Sequence, residues 1–226
     1  MEFTVIGAPG EGATCRLDYR AFAYAGKFVV GAPGTAVLRT GDGSAAAPEW
    51  TPEEPLPETV DPAVFADDVL AAVSFSPDRT DSACCRLRYV TVHIARRGEG
   101  LGPTLIRRTV SWLAAAGYER VRIAVNNPFA YEALYKCGFA YTGETTGIAE
   151  LELERPADEP APAHADPERY RTGLAAFRDR DPELSAAETQ FLDARLDDGR
   201  GPPAASESGG DDPGGADGDD PGDDRS

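Results

Sequence analysis

VHIARRGEGLG, residues 92–102, stands between a run rich in β-branched residues and a long stretch with helical apolar periodicity. Three glycines alternate in it (Gly98, Gly100, Gly102), directly behind Arg96 and Arg97. A loop of this composition at a strand-to-helix junction suits an anion. Glycine lets the backbone come close to a phosphate, and the N–H groups of a first helical turn have no internal acceptor. Two familiar phosphate loops are excluded. No Gly-Lys-Ser/Thr triplet occurs, and the third glycine of G-x-G-x-x-G would fall at Pro103 or at Leu105. What fits is Arg-x-x-Gly-x-Gly, through Arg97, Gly100 and Gly102. Arg107 and Arg108 extend the positive cluster, opposed nearby only by Glu99. The alternative is a glycine-rich turn followed by a solvated arginine face.

The flanks read as alternating strands and helices. Before the loop, strands are expected near Met1–Ile6, around AFAYAGKFVV (21–30) and TAVLRT (35–40), at Leu70–Phe75 and along CCRLRYVTVHI (84–94). After it, Gly102–Ala116 is the clearest helix. Leu105, Thr109, Trp112 and Ala116 form one stripe beside Ile106, Val110 and Leu113, with Pro103 in the first turn and Gly117 as the stop. RVRIAV (120–125) is a strand, Pro128–Lys136 a short helix, and FAYTGE and GIAELELE a final pair of strands. Beyond Pro156, two helical segments each open on Asp-Pro. Their apolar stripes are Tyr170, Leu174, Phe177 and Leu184, Ala187, Phe191, Ala194.

The chain has 226 residues and a formal net charge of -17, and Lys27 and Lys136 are its only lysines. An acidic, lysine-poor surface keeps a protein hydrated where salt screens charge within roughly 3 Å, at about 1 M. The composition resembles that of proteins from salt-accumulating halophiles. It argues against general nucleic-acid binding, which needs a basic face. No apolar run approaches the roughly 20 residues of a membrane span and no signal peptide is evident, so a cytoplasmic, membrane-free protein is expected. Cys15, Cys84, Cys85 and Cys137 show neither CxxC spacing nor nearby histidines, so core thiols are expected and no metal site.

VHIARRGEGLG together with NPFAYEALYKCGF (Asn127–Phe139), separated by a helix and a strand, resembles the GNAT acyltransferase superfamily; the resemblance spans roughly Leu70–Glu154. It implies an α/β fold: a mixed, mostly antiparallel sheet with helices on both faces, whose two parallel strands splay to bind acyl-CoA. With it, 1–155 is expected to be the acyltransferase domain, and the composition beyond it divides into a 156–166 linker, a 167–198 helical hairpin and a 199–226 disordered acidic tail. Acetyl-CoA would be the cosubstrate and an amine, on a small molecule or a protein, the acceptor. By the same resemblance, the strand segment Val90, Thr91 and Val92 would pair with the pantetheine arm. Backbone groups of Arg97, Gly98, Glu99, Gly100, Leu101 and Gly102 would hold the pyrophosphate, with Arg107 or Arg108 at the ribose phosphate and Asn127 near the pantetheine.

In the family a tyrosine four residues before the Gly of Gly-Phe protonates the departing thiolate; that position is Leu134 here. The expected acid is therefore Tyr135, with Tyr131 as the substitute. Relatives often place a carboxylate on the splayed strand where this chain has Arg88 and Tyr89, which leaves Glu144 as the candidate base. His93 is expected to be structural and His164 inert. Tyr19, Phe22, Tyr24 and Phe28 are candidates for an acceptor pocket. Three hypotheses stand at this point: an N-acetyltransferase, a non-catalytic acyl-CoA-binding or protein-interaction module, and a domain whose loop binds nothing.

Overall fold

The computed structural model describes residues 1–7, 15–29, 34–147, 150–159, 166–179 and 184–197. The acidic tail, His164 and most of the linker lie outside the described residues. Seven strands form one sheet: β1 (Glu2–Gly7), β2 (Gly34–Arg39), β3 (Val69–Pro77), β4 (Cys84–Val92), β5 (Arg120–Val125), β6 (Ala140–Thr146) and β7 (Glu150–Pro156). Their order is β1-β2-β3-β4-β5-β7-β6. All neighbours are antiparallel except β4 and β5. That parallel pair needs a crossover, which α1 (Leu101–Ala115) supplies. α2 (Pro128–Tyr135) links β5 to β6, and α3 (Pro167–Arg178) and α4 (Ala186–Asp197) follow β7. None of these helices is long and apolar enough to cross a membrane.

Strand alternation divides the core. Ala36, Leu38, Ala71, Val73, Phe75, Val121, Ile123 and Val125 share one cluster with apolar residues of all four helices. On the opposite faces, Val37, Val69 and Ala72 pack against Cys15, Leu17, Ala21, Phe22, Ala25 and Phe28. Among the described residues this second cover contains no α-helix, only the 3₁₀ turn Ala25–Phe28. The described part of AFAYAGKFVV, residues 21–29, is thus not a strand. Tyr24 takes a left-handed conformation (φ 61°), which interrupts any extended run, and the segment buries Ala21, Phe22, Ala25 and Phe28. Further along, the second face is laced by charge. Arg86 reaches Asp78 and Glu152 (2.6 Å), and Arg122 reaches Glu154, tying β4, β5 and β7 together.

α3 and α4 join the main cluster. Tyr170, Leu174 and Phe177 are fully buried, as the α3 stripe requires. On α4 the inward residues are Glu188, Phe191, Leu192, Arg195 and Leu196, whereas the expected Ala187 and Ala194 are exposed. The rotation follows from polar partners within the core. Arg195 and Lys136 both pair with Glu132 of α2, whose carboxylate also accepts from the Tyr170 hydroxyl at 3.1 Å. Burial pushes that carboxyl up, but Arg195 and Lys136 outweigh it and hold it below its ordinary value.

Candidate active site

The gap at the centre of the sheet has a local cause. β4 and β5 pair only from Cys84–Leu87 against Arg120–Ile123. Immediately beyond, the β3–β4 register shifts: Leu87 faces Phe75 and Tyr89 faces Ser74, so Arg88 is an extra residue. A bulge bends its strand and increases local twist. β4 therefore turns away from β5 where pairing stops, while β5 stays with β7 as far as Val125 and Leu151. A cavity of about 270 Å³ fills the opening. Val90, Gly102, Ile106, Val125, Asn127 and Leu134 are among its walls.

Backbone polarity in the gap can be assigned from one bond. The His93 amide donates to Leu70 O at 3.0 Å, toward β3. Strand amides alternate, so those of Val90 and Val92 face the opening and that of Thr91 faces β3. The Thr91 side chain is also buried on the other face, with its hydroxyl unpaired.

At one end of the gap the glycine loop delivers α1. Gly98 (φ 86°) and Gly100 (φ 74°) both sit in the left-handed region, and a Cβ on either would meet open space. Glycine is required there by backbone conformation, not by crowding. Gly100 caps α1 without a side-chain bond, and the amides of Leu101 and Gly102 have no intrahelical acceptor. Pro103 has no N–H to add. Of the four arginines, Arg96 is neutralised by Glu99 (2.7 and 2.9 Å) and anchored on Ala46 O (2.7 Å). Arg97 and Arg108 are exposed, while Arg107 has one buried nitrogen without a hydrogen-bond partner. Asn127 lines the cavity and caps α2, its side-chain oxygen accepting from the Ala130 amide at 2.8 Å.

The expected acid–base residues are not brought to the cavity. Tyr131 and Tyr135 are buried beneath α3, their rings packed with Tyr170. The Tyr131 hydroxyl lies 3.1 Å from Tyr170 O and 3.2 Å from the Tyr135 oxygen, which itself accepts from the Tyr141 amide at 2.9 Å. Burial raises both phenols above their ordinary value, Tyr131 strongly. They hold helices together instead of facing a thiolate. Tyr135→Phe is accordingly expected to leave kcat and its pH profile unchanged but to cost about 1–3 kcal/mol in urea denaturation, because the Tyr141 amide loses its acceptor. Glu144 is exposed on edge strand β6, away from the cavity walls. Glu150, at the start of β7, lines the cavity instead. It is not among the site residues expected from sequence; the alternation of Glu150, Glu152 and Glu154 in GIAELELE is the signal that could have pointed to it.

His93 lies on the second face, edge-on to Phe22 (5.2 Å) and Trp50 (5.0 Å), its Nδ1 accepting from the Ala95 amide. Burial lowers its pKa against the pull of Asp18, as suits a packed, neutral ring. Tyr24 and Tyr89 both border the cavity, their rings 5.6 Å apart; of the other candidates in this segment, Phe22 and Phe28 are core and Tyr19 is exposed. Among the described residues no group of three or more His, Cys, Asp or Glu is placed to hold a metal ion.

The site is thus a mixed sheet opened by a bulge, with a glycine-capped helix N-terminus at its mouth. Residues 41–139 match the model of the Acetyltransferase (GNAT) family. No curated protein matches the chain in sequence. Similar solved structures include an N-acetyltransferase from Staphylococcus aureus Mu50, 15% identical, covering 56% of this chain and 68% of that one, TM-score 0.40. A ribosomal-protein-S5-alanine acetyltransferase from Vibrio fischeri is 13% identical over 57% and 64% of the two chains, TM-score 0.40. A PaiA N-acetyltransferase from Thermoplasma acidophilum, in complex with coenzyme A, is 16% identical over 40% and 55%, TM-score 0.35. Likenesses this distant assign neither an acceptor nor a residue role.

Proposed function

We propose that the protein is an acetyl-CoA-dependent N-acetyltransferase in which an amine attacks the thioester directly. The observation that carries this reading is the opening of β4 from β5 beside the glycine loop. The pantetheine arm lies in the opening and pairs with the backbone of Val90 and Val92, in place of the strand that β5 no longer provides. The pyrophosphate sits on the amides of the 97–102 loop and the first turn of α1.

The chemistry asks for a neutral amine, a stabilised oxyanion and a leaving thiolate. The Val90 amide is oriented toward the gap before reaction begins, which is how a fixed dipole stabilises developing charge. Glu150, on the cavity wall, is placed to take the proton from the incoming ammonium. The leaving group is undemanding, since a thiol of pKa near 8.5 departs readily as thiolate. Leu134 can therefore stand where the resemblance called for a tyrosine. Tyr24 and Tyr89 carry the phenols on the cavity wall and replace Tyr135 and Tyr131 as candidates for protonating sulfur.

Calorimetric titration with acetyl-CoA, followed by thiol release in the presence of an amine panel, tests this. Saturable binding and amine-dependent release are expected. Binding without release for any amine would leave only an acyl-CoA-binding module; no binding would remove the proposal.

A further inference from the structure

A second cleft adjoins the cavity and shares Arg88 and Tyr89 with it. Its walls include Lys27, Ser74, Ser76 and Arg79. One of the two lysines in this chain is here, its Nζ 5.8 Å from the centre of the Tyr89 ring. The Arg88 Nε donates to Ser76 Oγ at 2.9 Å. Among the described residues no carboxylate pairs with Lys27, Arg79 or Arg88, whereas Asp78 in the same cleft is committed to Arg86 and Thr80. In a chain with 39 acids against 22 lysines and arginines, three uncompensated cations around one cleft are not explained by composition. A further observation points the same way. Ser74 forms part of the floor, is completely buried, and its hydroxyl has no hydrogen-bond partner. A buried hydroxyl without a partner costs free energy, and a ligand oxygen supplies what it lacks.

We propose that the acceptor is an amine that also bears an anionic group, carboxylate or phosphate, which Lys27, Arg88 and Ser74 hold while its amine reaches Glu150. The proposal rests on the N-acetyltransferase reading and adds the substrate class. It opposes the expectation from net charge alone, by which so acidic a protein would favour cationic acceptors. The local field at the mouth of the site is positive although the whole molecule is negative.

The test uses the full chain saturated with CoA, at fixed ionic strength. Matched probes are titrated calorimetrically: glycine and β-alanine against their amides, and 3-aminopropyl phosphate against 3-amino-1-propanol. The same compounds are assayed with acetyl-CoA for thiol release. At least one anionic probe is expected to bind about tenfold or more tighter than its neutral partner. Comparing the two series tells carboxylate from phosphate. Lys27→Gln and Arg88→Gln are expected to erase the preference, and Lys27→Gln to leave acetyl-CoA affinity unchanged. Ser74→Ala is expected to raise thermal stability and yet weaken the anionic probe, opposite signs that a purely structural hydroxyl would not give. No preference in any pair, including no binding at all, overturns the inference, as does a preference that survives both cation substitutions. Failure of acetyl-CoA itself to bind overturns the enzymatic reading first, and the inference falls with it.

Discussion

Gly100→Asp is expected to lower acetyl-CoA affinity about a hundredfold or more while the protein folds as before. The site tolerates the side chain: a Cβ at position 100 meets nothing within 4 Å. The backbone is left-handed there, at φ 74°, which costs an L residue about 1 kcal/mol, and Asp is among the residues that accept it best. A carboxylate at the N-terminus of α1 also gains roughly 0.3–1 kcal/mol from the helix dipole, so the net change in stability is small. The ligand experiences the reverse. The new charge would occupy the concavity proposed for the pyrophosphate, and two like charges about 4 Å apart repel by about 4 kcal/mol at an effective dielectric of about 20. Even after solvent screening this exceeds the roughly 2.8 kcal/mol of a hundredfold loss. Gly100→Asn, with similar strain and no charge, separates repulsion from conformation and should lose only about tenfold. Calorimetry with acetyl-CoA on both variants, with thermal denaturation as the control, decides the matter. An Asp variant that binds as well as wild type would mean that the loop holds no phosphate.

The parts legible from sequence were those whose signals are local. β4, the loop, α1 and β5 each carry their own marks: β-branched residues, alternating glycines, apolar periodicity and Gly117 as a stop (φ 93°). The bulge at Arg88 was not legible, because it is a property of the pairing between two strands and not of either one. Leu134 stands at the position of the family's tyrosine, and neither neighbouring tyrosine lines the cavity. Tyr131 and Tyr135 lie one turn apart and so share a face, and that face is claimed by α3, which comes from a segment beyond the matched region. Nothing within α2 announces which of its faces a later helix will cover. The run AFAYAGKFVV misled for the opposite reason. Ala21, Phe22, Ala25 and Phe28 are genuine core, but Tyr24 breaks the strand geometry that the spacing suggests. Glu150 stands beside the gap because β7 pairs with β5 as far as Leu151, a long-range pairing that the turn sequence around Glu144 does not announce. The first residue of β7 lies beside the gap, whereas β6 is one strand farther out.

The packing of α3 supplies the other large effect. Gly173→Ala is expected to cost about 3 kcal/mol, although alanine is the better helix former by roughly 1 kcal/mol. A Cβ at position 173 would overlap the hydroxyl and ring of Tyr131. Tyr131 has little room to yield: it is fully buried, its ring packs on Tyr135, Tyr170 and Phe177, and its hydroxyl is bonded to the backbone of α3 itself. Tyr131→Phe alone should cost about 1 kcal/mol, the usual worth of a hydroxyl hydrogen bond. Together the two changes should cost less than their sum, because Phe removes one of the atoms that the new methyl strikes. Urea denaturation of the two single variants and the double variant measures this coupling, and additive costs would mean that α3 does not dock on Tyr131. The same Tyr131→Phe protein also separates packing from chemistry. Below its unfolding transition it should retain its kcat and pH profile. A rate loss with unchanged stability would return Tyr131 to the catalytic role that its motif suggested.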